Sequence, residues 1–312
     1  MTHKDNCTTP IIITAGSTYL DIDAYACCVA MEELLRLKGI NAIAYSNAPC
    51  NYSVVQSLIK QGQIKETLPS DWSKDDFKYI IVDVSDPNYL EKSIPLDNVF
   101  AVYDHHVGFE EYWTSRIGTK AHIEFIGAAA TLIYREWRKS GLYDKMSVDT
   151  AKLLVAAILD NTLNLTSAIK TDDDKEAFNE LCLKANIGKD WCASYFVEVQ
   201  GSIEADLRNA LFGDVKTICD NPVLPPYMGQ ISIWNVASVI NRIREISEWF
   251  DSEYDCWMLN IIDIQHNCNY FVCDSLEHQT KIEKLFDVKF KQGIAKTSIS
   301  YLRKEIIKRT VF

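Results

Sequence analysis

One short stretch, Val102-Tyr103-Asp104-His105-His106-Val107-Gly108, most constrains what this chain can form. Apolar residues from Val99 to Tyr103 run directly into an acid and two adjacent imidazoles, which predicts a buried strand that ends in a polar cluster. In open α/β sheets, ligand sites lie just beyond the carboxyl ends of the strands. The alternative is a pair of surface histidines that follow a strand, and this stretch alone favours neither interpretation.

Other acids fall at the ends of predicted strands and helices, and they are Asp21, Asp23, Asp83 and Asp160. Capping a helix or a turn explains each of them taken singly. Asp21 and Asp23 place two carboxylates in one cap, which is more than capping requires. Asp160 lies at a predicted helix C-terminus, where an acid opposes the helix dipole unless a cation faces it. Together with His105, these carboxylates favour a site for hard divalent cations.

The order of predicted elements indicates an α/β chain with two domains. Strands and helices alternate through about residue 195, which predicts a parallel sheet. Beyond that point strands dominate without regular crossovers, which predicts a smaller α+β domain with a mixed sheet. We therefore expect one domain at 1–195 and another at 196–312. Two local predictions are a helix at 54–60 and a solvated helix N-cap at 170–174.

The charge of the chain limits the classes of partner that it can bind. The formal net charge is −11, which argues against non-specific binding of nucleic acid. Residues 288–312 carry seven Lys or Arg side chains against one Glu, a net +6, which leaves −17 on the rest. An acidic body with a basic end suits a small anionic ligand that metal cations bridge to the body.

The distribution of apolar residues predicts a cytoplasmic protein. The uncharged apolar runs, such as 153–159, are far shorter than a membrane span. The polar start of the chain, 1–10, lacks the apolar core of a signal peptide. The 10 cysteines form no CxxC pair, so we interpret them as small buried hydrophobic residues of a reducing compartment. The sequence leaves the oligomeric state open.

Taken together, the motifs resemble those of the DHH phosphoesterase superfamily. More narrowly, they are similar to its branch of manganese-dependent inorganic pyrophosphatases and eukaryotic-type exopolyphosphatases. The resemblance covers nearly the whole chain and implies a DHH metal-binding catalytic domain at 1–195, a DHH-associated substrate-binding domain at 196–312, and an active site in the cleft between them. The motifs are Gly16-x4-Asp21-x-Asp23, Val82-Asp83, Asp104-His105-His106, Leu159-Asp160-Asn161-Thr162, Asp214-Val215-Lys216, Trp257–Asp263 and Arg303-Lys304.

The resemblance implies metal ligands and two divalent cofactor ions, Mn²⁺ or Mg²⁺, with Co²⁺ as an alternative. Asp21 would bind the first ion and Asp23 the second, while Asp83 would bridge both. His105 and Asp160 would complete the second site. Carboxylates and imidazole without thiolate suit these ions better than structural zinc.

The remaining implied roles concern a small phosphorylated anion as substrate. His106 would contact phosphate or donate a proton, and Asp104 would support the His pair. The basic residues that would reach the phosphates are Lys216, Arg303 and Lys304.

The chain departs from the family pattern at several positions. Ser17 stands where the pyrophosphatases have a His ligand, so we expect a weaker and less Mn²⁺-selective first site. Val84 and Ser85 replace the usual His-Asn, and Leu302 replaces the usual Ser. These changes favour an exopolyphosphatase-like hydrolase that uses a water activated by two metals. The alternatives are an inorganic pyrophosphatase, a nucleotide or organic phosphoester hydrolase, and a phosphate-ligand sensor with weakened catalysis.

Overall fold

Two five-stranded β-sheets form the framework of the structure, a computed structural model that describes residues 10–60, 63–68 and 76–310. The chain divides into two compact units. One holds the described residues through Leu165 together with Ile169–Cys192, and the other holds Thr166–Ala168 and the described residues from Ala193 onward. The main division falls between Cys192 and Ala193, where the sequence predicted a boundary at 195–196. Among the described helices, none has the length and apolar character needed to cross a membrane.

The first sheet contains parallel strands in the order β2-β1-β3-β4-β5. Two of them, β3 and β4, are near-continuous apolar runs, as expected of parallel strands that are buried on both faces. The parallel sheet predicted for this part of the chain is confirmed. The strands are β1 Ile11–Thr14, β2 Ala42–Ala44, β3 Lys78–Val82, β4 Val99–Asp104 and β5 Ala121–Ile123.

The strand order determines where a site can form. The chain passes from β1 to β2 on one side and then crosses to β3 on the other, and such a switch opens a crevice at the carboxyl ends of β1 and β3. Thr14 lies beside Ile81, and Val82 lies beside Tyr103. The residues that follow β1, β3 and β4 therefore share one edge of the sheet.

Side chains cap the N-termini of several helices of the first unit. Asp21 caps α1 and Ser147 caps α4, each by accepting a hydrogen bond from a backbone N–H in the first turn. These two helices are apolar along most of their length and pack against each other. The helices are α1 Ile22–Leu37, α2 Glu110–Ile117, α3 Ala129–Ser140, α4 Val148–Asn161 and α5 Asp172–Ala185.

The second unit is built on the mixed sheet that the sequence predicted. Its strands are β6 Val215–Thr217, β7 Tyr227–Ile233, β8 Trp257–Asp263, β9 Cys268–Cys273 and β10 Ile294–Lys296, in the order β10-β9-β8-β7-β6. The β7–β8 pair is parallel and the other pairs are antiparallel. Met258, Phe271 and Ile282 are part of its buried core.

Six further helices complete the described chain after α5. The helix α6 spans Lys189–Ala205 and crosses the division between the two units. The others are α7 Leu207–Gly213, α8 Ala237–Asn241, α9 Ile243–Glu253, α10 Leu276–Phe286 and α11 Arg303–Thr310.

The helix predicted at 54–60 is wrong, because this segment contains only turns and bends. Asn51 Oδ1 accepts a hydrogen bond from the backbone N–H of Ser53 at 2.9 Å, and the Ser53 hydroxyl accepts one from the backbone N–H of Ile22 at 2.9 Å. Such side-chain bonds to the backbone compete with helix formation. The apolar side chains of Val54 and Val55 are buried even without a helix.

The predicted N-cap at 170–174 exists, but its description as solvated is wrong. Thr171 caps α5 in a capping box whose third helical residue, Asp174, is fully buried. The Asp174 carboxylate also accepts hydrogen bonds from the backbone N–H of Gly127 at 2.9 Å and from the hydroxyl of Thr131 at 2.6 Å. A Cβ at Gly127 would lie 2.6 Å from Asp174 Oδ2, so only glycine allows this approach.

Candidate metal centre

The carboxyl ends of β3 and β4 bring Asp83, Asp104 and His105 together. Asp83 directly follows β3, and its backbone N–H donates to the carbonyl oxygen of Tyr103 in β4 at 2.8 Å. Asp104 is the last residue of β4 and is fully buried, as is nearly all of His105. The polar cluster predicted at this sheet edge therefore forms where the neighbouring strands β3 and β4 end.

Asp104 orients the turn that carries both histidines. Its Oδ1 accepts hydrogen bonds from the backbone N–H groups of His105 at 2.8 Å and His106 at 3.1 Å, and it lies 2.8 Å from His106 Nδ1. Burial acts to raise the pKa of Asp104, but the hydrogen bond and the charge of His106 outweigh burial and bring the pKa below its ordinary value. The contact places a proton on His106 Nδ1, and 57% of the His106 side chain is exposed.

His105 is held so that its other ring nitrogen faces Asp83. Its Nδ1 lies 3.1 Å from the carbonyl oxygen of Ile126, and because a carbonyl only accepts hydrogen bonds, Nδ1 carries the proton. In the neutral ring Nε2 is then an acceptor, and it lies 3.5 Å from Asp83 Oδ1. With the Asp83 carboxylate ionised, two acceptors face each other at this distance, and a cation bound to both would remove the unfavourable contact. A backbone carbonyl on the second nitrogen is also the usual support of a metal-binding histidine.

Asp83 has the environment of a metal ligand. The side chain is 5% exposed, and its Oδ1 has no hydrogen-bond partner among the described residues. Burial, followed by the nearby charges of Asp23, Asp21 and Asp104, raises the pKa of Asp83 well above its ordinary value. A divalent cation would remove this repulsion and supply the missing partner. Asp83 also has a φ of +56°, a conformation that Asp tolerates better than most residues.

One group of potential metal ligands occurs among the described residues, and it comprises Asp83, His105 and His106. Their donor atoms all lie within 4.8 Å of one another. Oxygen and nitrogen donors without sulfur suit Mn²⁺ and Mg²⁺. The group therefore fits the divalent metal that the sequence predicted.

Asp21 combines the capping role with a place at the centre. Its Oδ1 accepts a hydrogen bond from the backbone N–H of Ala24 at 2.9 Å, which is an N-cap bond. Its carboxyl group also lies close enough to Asp83 to raise the pKa of that residue. The capping role is therefore present in the structure, and the role of Asp21 as a metal ligand stays a prediction.

Asp23 lies in the first turn of α1 and is fully buried. Burial and the charge of Asp21 raise its pKa to about 7, against the hydrogen bonds that it accepts from the backbone N–H groups of Ala129 and Ala130. Those two N–H groups open α3 and lie 2.8 Å from the two carboxylate oxygens. Asp23 thus binds the N-terminus of α3, where the helix dipole favours an anion.

In the motif Leu159-Asp160-Asn161-Thr162, Asn161 contacts the carboxylate of Asp23, whereas the sequence singled out Asp160. The side-chain amide of Asn161 donates to Asp23 Oδ2 at 2.8 Å. Asp160, the preceding residue and the last but one of α4, was the predicted ligand, and that role stays a prediction. The amide of Asn161 was missed because a polar uncharged residue beside an acid gives no metal-ligand signal in a sequence.

Two serines at altered motif positions bind backbone atoms. Ser17, at the position where the family has a His ligand, donates its hydroxyl to the carbonyl oxygen of Tyr89 at 2.9 Å. Ser85, buried after β3, donates to the carbonyl oxygen of His106 at 3.1 Å, while its own carbonyl accepts from the indole of Trp113 at 2.6 Å. Ser85 therefore supports the turn with the two histidines, a role the sequence did not reveal.

The predicted phosphate-binding residues lie in the second unit. The side chain of Arg303 is 13% exposed and donates to the Oδ1 of Asp214 at 2.6 Å, to the backbone oxygen of Asp214 at 2.7 Å and to that of Met228 at 3.3 Å. Lys216 and Lys304 are exposed. Arg303 thus fastens α11 to this unit, and contact of the three residues with substrate stays a prediction.

A cavity of about 760 Å³ opens beside Asp21 at the same sheet edge. Leu20 and Tyr25, which lie on either side of Asp21 along the chain, both line it. Its other walls combine hydroxyl and amide side chains with apolar residues and the charged residues Lys60 and Glu66. Tyr25 donates its phenol hydrogen to Gln63 Oε1 at 3.2 Å.

Proteins of known sequence match this chain over most of its length. Among them are proteins named "probable manganese-dependent inorganic pyrophosphatase". The one from Lactobacillus helveticus is 24% identical over 283 residues, which span 88% of this chain and 89% of the relative. The one from Deinococcus radiodurans is 24% identical over 262 residues, which span 80% and 81%. No protein-family model matches the chain.

Solved structures match the fold of the chain from end to end. A candidate family II inorganic pyrophosphatase of Methanococcus jannaschii superposes with a TM-score of 0.64 and 18% identity, covering 96% of this chain and 98% of its own. An exopolyphosphatase-related protein of Bacteroides fragilis superposes with a TM-score of 0.53 and 12% identity, covering 96% and 90%.

Fold and site together define a two-unit α/β protein with a candidate centre for divalent metal. The predicted resemblance to the branch of pyrophosphatases and exopolyphosphatases is confirmed, because the homologous sequences are named manganese-dependent inorganic pyrophosphatases and the fold is that of family II pyrophosphatases.

Proposed function

We propose that this protein is a metal-dependent hydrolase of phosphoanhydride bonds. The observation that carries the proposal is the pair of acceptors formed by His105 Nε2 and Asp83 Oδ1, 3.5 Å apart in a buried cluster of carboxylates. A divalent cation would relieve the repulsion within such a cluster, and bound cations attract phosphate oxygens. The relatives are named as inorganic pyrophosphatases, a class of enzyme that hydrolyses an acid anhydride, and these names support the same reaction class.

The chain's own residues would divide the chemistry as follows. A divalent cation, when bound, lowers the pKa of a bound water and neutralises charge on the phosphate. Asp83 and His105 would hold that cation. His106 has an exposed ring whose Nδ1–H is held by Asp104. As the imidazolium, which the Asp104 carboxylate favours, it would donate its Nε2 proton to the departing phosphate oxygen and become neutral.

For the substrate we propose inorganic polyphosphates from tripolyphosphate upward, with pyrophosphate as a slower substrate. The absence of a nitrogen ligand at Ser17 and the basic segment at 288–312 support longer anions over pyrophosphate alone. Within this proposal Lys304 and Lys216 contribute charge to the phosphate, and Arg303 contributes mainly through its fixed position beside Asp214.

The test is phosphate release from pyrophosphate, tripolyphosphate, long-chain polyphosphate and nucleoside triphosphates, each with Mg²⁺, Mn²⁺ or Co²⁺. We expect metal-dependent release that is faster from tripolyphosphate than from pyrophosphate. Release from pyrophosphate alone would assign the protein as a pyrophosphatase. Binding of these anions without release from any of them would overturn the hydrolase and favour a phosphate sensor.

A second candidate function is hydrolysis of an organic phosphate ester or anhydride, and the cavity beside Asp21 favours it. Lys60, which lines this cavity, pairs with Asp149, and the carboxylate of Glu66 lines it as well. This mixed lining suits an uncharged polar group better than further phosphates. Faster turnover of nucleoside triphosphates than of tripolyphosphate would support this candidate, and loss of that preference in Gln63→Leu would locate it.

A further inference from the structure

The number of metal ions that this chain can hold depends on Asp23. The family resemblance implies two ions, with Asp23 as a ligand of the second. An ionised carboxylate has about four acceptor sites, two on each oxygen. A metal ion must take at least one of them, so the donors that already surround Asp23 decide whether it can be a ligand.

Protein donors surround both oxygens of Asp23. The Oδ1 atom accepts from the backbone N–H of Ala130 at 2.8 Å and from the Cys27 thiol at 3.4 Å. The Oδ2 atom accepts from the backbone N–H of Ala129 at 2.8 Å and from the side-chain amide of Asn161 at 2.8 Å. Four donors therefore meet about four acceptor sites. Two of the donors are the first N–H groups of α3, which lack partners within their own helix.

Asn161 has a decisive part in this arrangement. Its amide group points hydrogen atoms, which a cation repels, at the oxygen that would face a second ion. It also adds no negative charge at the end of α4. The carboxylate of Asp83 has the opposite environment, because its Oδ1 has no partner among the described residues and faces an imidazole acceptor.

We infer that this chain builds one resident metal site, centred on the shared ligand Asp83 and on His105, and that Asp23 anchors α1 to α3 and α4 instead of binding an ion. Without Asp23, the ligands around Asp83 suffice for one ion and not for two separate sites. The inference rests on the proposed function in taking the cluster as a metal centre. A second ion needed for turnover would then arrive bound to the phosphates of the substrate and would leave with the product.

The experiment is a count of bound manganese in the absence of phosphate. Metal-free protein is incubated with excess Mn²⁺, freed of unbound ions and analysed by mass spectrometry for Mn²⁺ per chain. Electron paramagnetic resonance of the same sample separates an isolated ion, with six hyperfine lines, from an exchange-coupled pair. We expect one ion per chain and the isolated signal. Two ions with a coupled spectrum would overturn the inference and leave the proposed function intact, whereas no bound ion would overturn both.

The matched variants are Asn161→Asp and Asn98→Asp, which make the same substitution at opposite edges of the sheet. Asn98 lies directly before β4 and contacts Lys78 at the start of β3. Asn161→Asp removes a donor from Asp23 and adds a carboxylate beside it, so we expect its count to rise toward two ions and a coupled signal to appear. Asn98→Asp should keep one ion. A count that stays at one in Asn161→Asp, with melting curves showing a folded protein, would contradict the role given to the amide.

Discussion

The substitution Asp83→Asn should stabilise the metal-free protein while it destroys the metal centre. In the absence of metal, the Asp83 carboxylate is buried near Asp21, Asp23 and Asp104, and its Oδ1 has no partner among the described residues. An asparagine removes the charge, can donate to the Nε2 of His105, and tolerates the φ of +56°.

The size of the effect follows from the cost of a buried polar atom without a partner, about 1–3 kcal/mol. For a unit of this size, 1 kcal/mol corresponds to roughly 2–4 °C in Tm. We therefore expect the Tm of Asp83→Asn in EDTA at pH 8 to exceed that of the wild type by roughly 5 °C. Because the pKa of Asp83 is raised in the folded state, the wild-type protein loses stability as the pH rises above the ordinary pKa of 3.8. The difference in Tm between the variant and the wild type should therefore shrink toward zero as the pH falls toward 4.

The assay is thermal unfolding with EDTA and with Mn²⁺, and Asp23→Asn is the matched control. In that variant an NH₂ group would face N–H donors of Ala129, Ala130 or Asn161, so it should lower the Tm at pH 8. Wild type should gain stability with Mn²⁺, and Asp83→Asn should gain little. A lower Tm for metal-free Asp83→Asn, or an undiminished response to Mn²⁺, would refute the environment assigned to Asp83.

Three further predictions concern protons and the second unit. His106→Gln should lower kcat by about 10²- to 10⁴-fold with nearly unchanged Mn²⁺ affinity, as steady-state kinetics and calorimetry would show. Mn²⁺ binding near neutral pH should release protons, because burial raises the pKa of Asp83 and brings that of Asp23 to about 7. Calorimetry in two buffers of different ionisation enthalpy measures this release, and equal heats in both would contradict it. Arg303→Ala should lower Tm because it removes the hydrogen bonds to Asp214 and Met228, whereas substitution of the exposed Lys216 by Ala should raise KM at unchanged Tm. Equal melting of the two variants would refute this division.

Much of the fold could be predicted because the strands of the first unit are short apolar runs that end in polar residues. Asp83 and Asp104 were recognisable for that reason, since parallel strands place their carboxyl ends at one edge. The helix predicted at 54–60 failed because hydrogen bonds of Asn51 and Ser53 to the backbone favour turns, and these depend on the packing of α1.

The site was less predictable where a single residue position matters. Successive residues of a helix point about 100° apart, so the sequence could not tell whether Asp160 or Asn161 faces Asp23. Asp174 appeared solvated because it belongs to a run of three acids, yet contacts with Gly127 and Thr131 bury it. Such contacts join segments that are more than 40 residues apart, and no local pattern encodes them.

The most direct test of the account is Mn²⁺-dependent phosphate release by the wild type and by Asp83→Asn, measured from tripolyphosphate across a titration of the metal. We predict release by the wild type that requires Mn²⁺, and no release by the folded variant at any Mn²⁺ concentration. Near-normal turnover by Asp83→Asn, or release by the wild type that EDTA leaves unchanged, would contradict the assignment of Asp83 and His105 as the metal centre of a phosphoanhydride hydrolase.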